Sequence, residues 1–535
     1  MNQDCKMLKA CTRKEVTALF KNITCEHPLD KDIIDELKYL HEKLNDIDDD
    51  YAIFRYRDIT DKLWGTLLEK AIKCLRYYDE REPFQGSGDT KKPKAYGIDD
   101  LRNYYKKYAK FEEVLYGSSR HYRDHVIHVF RTWLSGVELL TKNKGDCLKK
   151  ISIQEKDKRI KLELNKAEKI SMWTIIALTH DLGYPLQKAK SIITITQDML
   201  ASFITNPDIS VDFAFHGVQN YMNDFVVRLM SSKMERRRRL KEAAEDKPKD
   251  DISSEDFEDY YVARLQSKYY FKFQKSLERN SHGILSTLIT YKLLTYFLES
   301  DYNINEDYAF GSEECRQFYI RREILRAVAS HTCDDIYQMY MGSFSFLLRI
   351  CDDTQEWGRK NITELYVKSE QRYELKDIGL KFDSSHDGKN NSCEIKEMIS
   401  VNDRESVITL IRRFREQALI YVTIFRDGQD TDKRDFSFKR NLTIEAESVS
   451  FEMTLEIKKE HASNLSGEIS YTSDTHKNGP FGKEFFETID AEDWTILDTD
   501  SKELISAATS QDTPDEEFPE ASTWSKGKFN ISLAN

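Results

Sequence analysis

KAEKISMWTIIALTHDLGYP, residues 166–185, is apolar around almost the whole helical wheel. Ile170, Met172, Trp173, Ile175, Ile176 and Leu178 leave no face for water, so the helix they form belongs inside a bundle of other helices. Gly183-Tyr184-Pro185 supplies its stop signal. His180 and Asp181 stand just before that stop, where a buried helix ends. Adjacent residues reach one site only from a helix end or a distorted turn, and Gly183 and Pro185 provide such an end. Side chains placed there lie at the base of a pocket.

Helical periodicity continues on both sides. Residues 124–141, 281–299, 320–331 and 343–358 carry it, and no strand alternation stands out between 96 and 365, so the middle of the chain reads as all-α. Upstream, Ile33, Ile34, Leu37, Leu40 and Leu44 recur at helical spacing, as do Leu63, Leu67, Leu68, Ile72 and Leu75. The stretch 85–95, QGSGDTKKPKA, reads as a linker. Residues 1–95 are thus an N-terminal helical region and 96–365 the central domain. Within the latter, the charged insert 233–258 predicts a solvated helix running into a loop. After 366 the texture changes. Residues 403–417 predict a helix; 419–426 (LIYVTIFR), 442–445 and 450–457 predict strands. This gives a small α+β domain over 366–470 and a polar, weakly ordered tail over 471–535. The fold class expected is mainly α, with a smaller C-terminal α+β domain.

The 535 residues suffice for several domains, and 39 % hydrophobic residues predict a folded chain. A net charge of -12 gives no global attraction to nucleic acid or to anionic membranes. The cluster Arg236–Arg239 could touch nucleic acid, but acidic residues follow at once, and a solvated face is the plainer reading. Nine scattered cysteines without a CxxC pair fit a reducing compartment. No apolar run is long enough for a membrane span. A cytoplasmic protein is expected.

Seven of the twelve histidines lie between 121 and 331: His121, His125, His128, His180, His216, His282 and His331. In RHYRDHVIHV, 120–129, His121 and His125 share a helix face. His282 opens one helical run and His331 closes another. Asp352 follows an apolar stretch, LLRIC. Taken singly, each has a structural reading as a cap or a satisfied core residue.

In order, these motifs resemble the HD superfamily of metal-dependent phosphohydrolases over about residues 120–360. The resemblance rests on His125 with Val129 four residues later, on His180-Asp181-Leu182-Gly183 ending an apolar helix, on His282-Gly283, on His331, and on Leu348 to Asp352. It implies a helical HD-domain bundle with His125, His180, Asp181 and Asp352 as core ligands and His282 and His331 completing a second site. The cofactor implied is one or two divalent transition metal ions (Mn, Fe, Co, Ni or Zn). Asp181 would also serve catalysis, and His121, one turn before His125, would act as proton donor. Arg120, Arg123 and Lys188 would hold phosphate oxygens. Where the HD-GYP phosphodiesterases carry a lysine, this chain has Tyr184.

The activity implied is hydrolysis of a nucleotide or related phosphoester. The partner is then a phosphorylated small molecule, with no membrane and no nucleic acid; homo-oligomer formation stays open. The alternative is a regulatory module in which the bundle binds a ligand and signals through the flanking domains.

Overall fold

A computed structural model of the chain describes residues 57–75, 97–118, 122–153, 162–202, 218–244, 251–298, 308–333, 341–355, 373–384, 390–428, 435–446, 449–460, 464–474 and 521–532, with a few shorter stretches before and between them. Among these residues the chain is mostly helical, with a β-sheet region near the C-terminus. No described helix is long and apolar enough to cross a membrane.

The helical part runs α1 Arg57–Leu75, α2 Ile98–Ser118, α3 His128–Lys150, α4 Lys166–Thr179, α5 Tyr184–Leu200, α6 Val218–Ser231, α7 Ser267–Glu278, α8 His282–Leu293, α9 Ser312–Ser330 and α10 Phe344–Asp353. Helix α4 is the axis. Asn165 starts it with a capping box: its side chain accepts from the Glu168 amide at 2.9 Å, and the Glu168 carboxylate accepts from the Asn165 amide at 2.8 Å. Every residue from Ala167 to Thr179 is buried, as its all-round apolar pattern predicts. Helices α1, α3 and α9 surround it.

Three indoles fix this packing, because a buried N–H needs an acceptor. Trp64 of α1 donates to the Leu178 carbonyl at 2.9 Å, Trp133 of α3 to Thr174 Oγ1 at 3.0 Å, and Trp173 of α4 to the Trp133 carbonyl at 3.1 Å. Helices α3 and α4 approach so closely that a Cβ at Gly136 would lie 2.0 Å from the Trp173 ring. The apolar positions of α1 named from the sequence, Leu63, Leu67, Leu68, Ile72 and Leu75, are all in the core. Most of those in 33–44 lie outside the described residues.

The charged insert is not a solvated helix. Ser232–Leu240 (β1) and Phe257–Leu265 (β2) form an antiparallel ribbon. Four of its arginines face acids on the opposite strand: Arg236 and Arg238 pair with Asp259, Arg239 with Glu258, and Arg264 with Glu235; Arg237 pairs with Glu235 on its own strand. Cross-strand pairs of opposite charge hold its exposed part, while Met234, Tyr261, Val262 and Ala263 bury its base against the helices. The expectation of an all-α middle section is corrected to that extent.

The C-terminal sheet comprises β3 Tyr373–Ser384, β4 Asn390–Val401, β5 Asp435–Ala446, β6 Val449–Glu460, β7 Asn464–Asp474 and β8 Ala521–Ser532, in the order β8-β7-β6-β5-β4-β3. All neighbours are antiparallel except β4 and β5. A parallel pair needs a crossover, and helix α11, Arg404–Gly428, provides it. Strand β6 shows period 2 clearly: Phe451, Met453, Leu455 and Ile457 are buried while Glu452 is exposed. Residues 419–426, expected as a strand, are instead the end of α11. Its buried face runs Val407, Leu410, Ile411, Phe414, Ala418 and Tyr421, a helical period that reaches into the β-branched run. Strand β8 lies in the stretch expected to be a weakly ordered tail, and the sheet therefore extends beyond residue 470.

Candidate metal centre

The helix ends of the bundle point at one another. Helix α4 ends at His180 and α9 at His331, and both solve the same local problem. The last carbonyls of a helix lack intrahelical partners. His180 Nδ1 lies 2.8 Å from the Ala177 carbonyl and His331 Nδ1 2.6 Å from the Val328 carbonyl, each three residues back. A carbonyl only accepts, so in both rings Nδ1 carries the hydrogen and Nε2 presents its lone pair. His282, opening α8, is held in the same sense: its Nδ1 lies 2.5 Å from Gln187 Oε1. Tying one ring nitrogen to an oxygen while the other faces a common point is the arrangement of metal-binding histidines.

That common point is Asp181. Its Oδ1 lies 3.3 Å from Nε2 of both His282 and His331, and its Oδ2 lies 3.5 Å from His180 Nε2 and 3.7 Å from His128 Nε2. Asp352, near the end of α10, completes the other side, with Oδ1 2.8 Å from His128 Nε2 and 3.9 Å from His180 Nε2. Two groups of side chains have their donor atoms within 4.8 Å of one another: His128, His180 and Asp352, and His180, Asp181 and His331. His180 belongs to both.

The electrostatics suit a cation. Burial pushes His180 and His282 below the ordinary histidine value, favouring the neutral ring that acts as ligand. Burial alone would raise Asp181, but His180, His282 and His331 hold its carboxyl well below the usual range. At Asp352 burial is likewise overcome by the hydrogen bond and charge of His128, and its carboxyl too lies well below that range. Among the described residues, His180 Nε2 is buried with no hydrogen-bond partner, an atom that costs free energy unless something accepts its lone pair. These residues therefore fit a divalent ion, and the imidazole and carboxylate set suits Mn, Fe, Co, Ni or Zn.

Close backbone approach makes the convergence geometrically feasible. A Cβ at Gly183 would lie 2.4 Å from the His282 carbonyl oxygen, and one at Gly283 would lie 2.5 Å from Thr332 Oγ1. Gly183 N–H donates to Ser286 Oγ at 2.7 Å, and Gly283 N–H to Thr332 Oγ1 at 2.9 Å. The turn after α4, the start of α8 and the end of α9 are thereby pinned together.

The first histidine is a correction. His128, not His125, reaches Asp352. Asp124 explains this: its Oδ2 accepts from the Ile127 amide at 3.1 Å and the His128 amide at 3.1 Å, so α3 starts with His128 at its first residue, facing the centre. His125 lies in the preceding turn, its ring stacked on Tyr184 at 3.7 Å between centroids. Buried Glu112 of α2 holds that turn, its Oε1 accepting from the His125 amide at 2.7 Å, the Val126 amide at 3.2 Å and the Tyr122 hydroxyl at 2.8 Å. The offset that singled out His121 was counted from His125 and loses its basis; one turn before His128 stands Asp124, whose carboxylate accepts from the backbone. Arg120 and His121 lie outside the described residues. Arg123 is half-buried, and Lys188 lies over the Tyr184 ring, 5.4 Å from its centroid, beside the ring that contacts His282. Gln187, which orients His282, had no signal in the sequence.

No protein-family model matches the chain, and neither a curated protein nor a solved structure is significantly similar to it.

Proposed function

We propose that the chain is a metal-dependent phosphohydrolase of the HD type, acting on a nucleotide or related phosphoester. The observation that supports this most is the shared position of Asp181. One buried carboxylate lies between two histidine groups, His128 with His180 on one oxygen and His282 with His331 on the other. In this reading His128, His180, Asp181 and Asp352 hold the first ion, and His282 and His331 serve a second across Asp181. Ions held there supply an activated water and neutralise charge at phosphorus.

The chain's own residues contribute position and charge. The carbonyls of Ala177 and Val328 and the side chain of Gln187 keep the ring hydrogens of His180, His331 and His282 away from the centre. Burial keeps His180 and His282 neutral. Lys188 and Arg123 are the described cations assigned to the substrate's phosphate oxygens, where a positive charge favours the anion before and during reaction. The partner is a phosphorylated small molecule.

The test combines elemental analysis of the purified protein with a phosphate-release screen over nucleotides and cyclic dinucleotides, with added Mn²⁺. About two ions per chain and release from one substrate class are expected, and Asp181→Ala should lose both. Turnover that survives in D181A sinks the assignment. Absence of both metal and turnover in the wild type would instead favour the regulatory module.

A further inference from the structure

Helix α10 belongs to two structures at once. Near its end Asp352 faces His128 and His180. On another side, Phe346 packs against Tyr421 of α11 and Phe438 of β5, at 6.3 and 5.7 Å between centroids. The carbonyl of Asp353, the residue after Asp352, lies in the last turn, where it has no acceptor role to play inside the helix. Gln417 of α11 supplies the donor, Nε2 to the Asp353 oxygen at 3.0 Å.

The orientation of that amide is fixed from behind. Gln417 Oε1 accepts from Arg440 Nη1 at 2.6 Å. A guanidinium only donates and a carbonyl only accepts, so the amide cannot be flipped. Arg440 is fixed in turn by Glu397 of β4, Nε to Oε2 at 2.7 Å, with side chains 3 % and 2 % exposed. It lies over the rings of Phe414 and Tyr421. A buried ion pair adds little net stability, since desolvation offsets its attraction; what this one provides is a rigid donor line from the sheet to the end of α10. The line reaches a second candidate ligand through Arg349, which donates to Asp353 Oδ2 at 3.0 Å and to the His331 carbonyl at 2.5 Å.

We infer that Gln417 is a positioning residue for the metal centre, through which the C-terminal sheet unit sets the carboxylate of Asp352 and the ring of His331. This rests on the metal reading above and adds to it that the centre is built by both parts of the chain. The influence of the C-terminal unit passes through the Asp353 carbonyl and the Arg349 guanidinium.

The test is Mn²⁺ titration of the full-length, metal-free protein by calorimetry, comparing wild type with Gln417→Glu. Glutamate keeps an oxygen for Arg440 and replaces the donor facing Asp353 with an acceptor. Mn²⁺ binding should weaken about tenfold, the lower end of the cost of losing an outer-shell partner. Gln417→Asn, which retains both chemistries but draws the amide back, should weaken it as well and serves if Q417E does not fold. Wild-type binding with unchanged affinity in the variants overturns the role of Gln417 and leaves the centre standing. A lower metal-free Tm with unchanged Mn²⁺ affinity also overturns it, since packing alone would do that. A wild-type chain that binds no Mn²⁺ removes the centre itself and this proposal with it.

Discussion

Removing the Glu112 side chain should be among the costlier single changes in the helical part. Glu112 is completely buried, and its Oε1 alone accepts from the amides of His125 and Val126 and from the Tyr122 hydroxyl. Truncation to alanine leaves three buried donors without that acceptor. At about 1–3 kcal/mol for each stranded group, the loss is roughly 3–6 kcal/mol after partial relaxation. The change Glu112→Gln would keep an oxygen in the same place and give up mainly the charge assistance, which strengthens such bonds about twofold; a loss of about 1–2 kcal/mol is expected. Urea unfolding of wild type, Glu112→Ala and Glu112→Gln measures both. The same variants test the link to the site, because the turn they loosen delivers His128: Mn²⁺ affinity should fall more in E112A than in E112Q. Equal destabilisation by the two changes, or a loss under about 1 kcal/mol in E112A, would refute the acceptor argument.

Acid should destabilise the metal-free protein before it affects ordinary surface groups. Burial lowers His180 and His282 in the fold, so below about pH 6.5 the unfolded chain takes up protons that the folded chain does not. Stability is then full above that pH and falls as pH drops towards the folded-state values, by up to about 1.4 kcal/mol per pH unit for each histidine. Thermal unfolding across pH 5–8 checks it, and a flat profile would count against neutral, buried rings. Gly283→Ala places a Cβ 2.9 Å from the Val328 carbonyl oxygen, the acceptor of the His331 ring, so it should lower Tm and weaken Mn²⁺ binding together; a change in Tm alone would separate packing from ligand geometry. The ribbon arginines Arg236, Arg238 and Arg239 are paired with Asp259 and Glu258, and gel-shift assays at physiological salt should show no nucleic-acid binding that an R236A/R238A change abolishes.

How much of this was legible in the sequence varies with how local the cause is. The α4 helix and its terminal His180-Asp181 pair follow from an unbroken apolar run and a stop signal, both contained within twenty residues. His282 and His331 were read as opening and closing helical runs and Asp352 as following an apolar stretch, and the resemblance to the HD superfamily joined them. His125 and His128 could not be separated by spacing, since both sit a turn from a neighbour; the decision lies in Asp124, an aspartate whose carboxylate accepts from the Ile127 and His128 amides where α3 begins. That residue was the available signal. The charged ribbon was invisible because its ion pairs join positions about twenty residues apart, such as Arg236 and Asp259, and the charged run of β1 masks the few apolar residues the ribbon buries, Met234, Tyr261, Val262 and Ala263. Residues 419–426 misled through β-branched composition, although the helical period that begins at Val407 reaches into them at Tyr421. Gln417 and Glu397 are polar residues whose importance arises only when the sheet meets α10.

The site's geography also bears on time. His128 and Asp352 meet across 224 positions of chain, and the remaining candidate ligands sit where helices begin or end. Contacts so distant in sequence carry a large loop-closure cost in folding. Helix termini are also the first places to open in the native state. Ions held by these five helix ends would therefore leave by fraying, one terminus at a time, and their residence time would report the slowest local opening among α3, α4, α8, α9 and α10 rather than global unfolding.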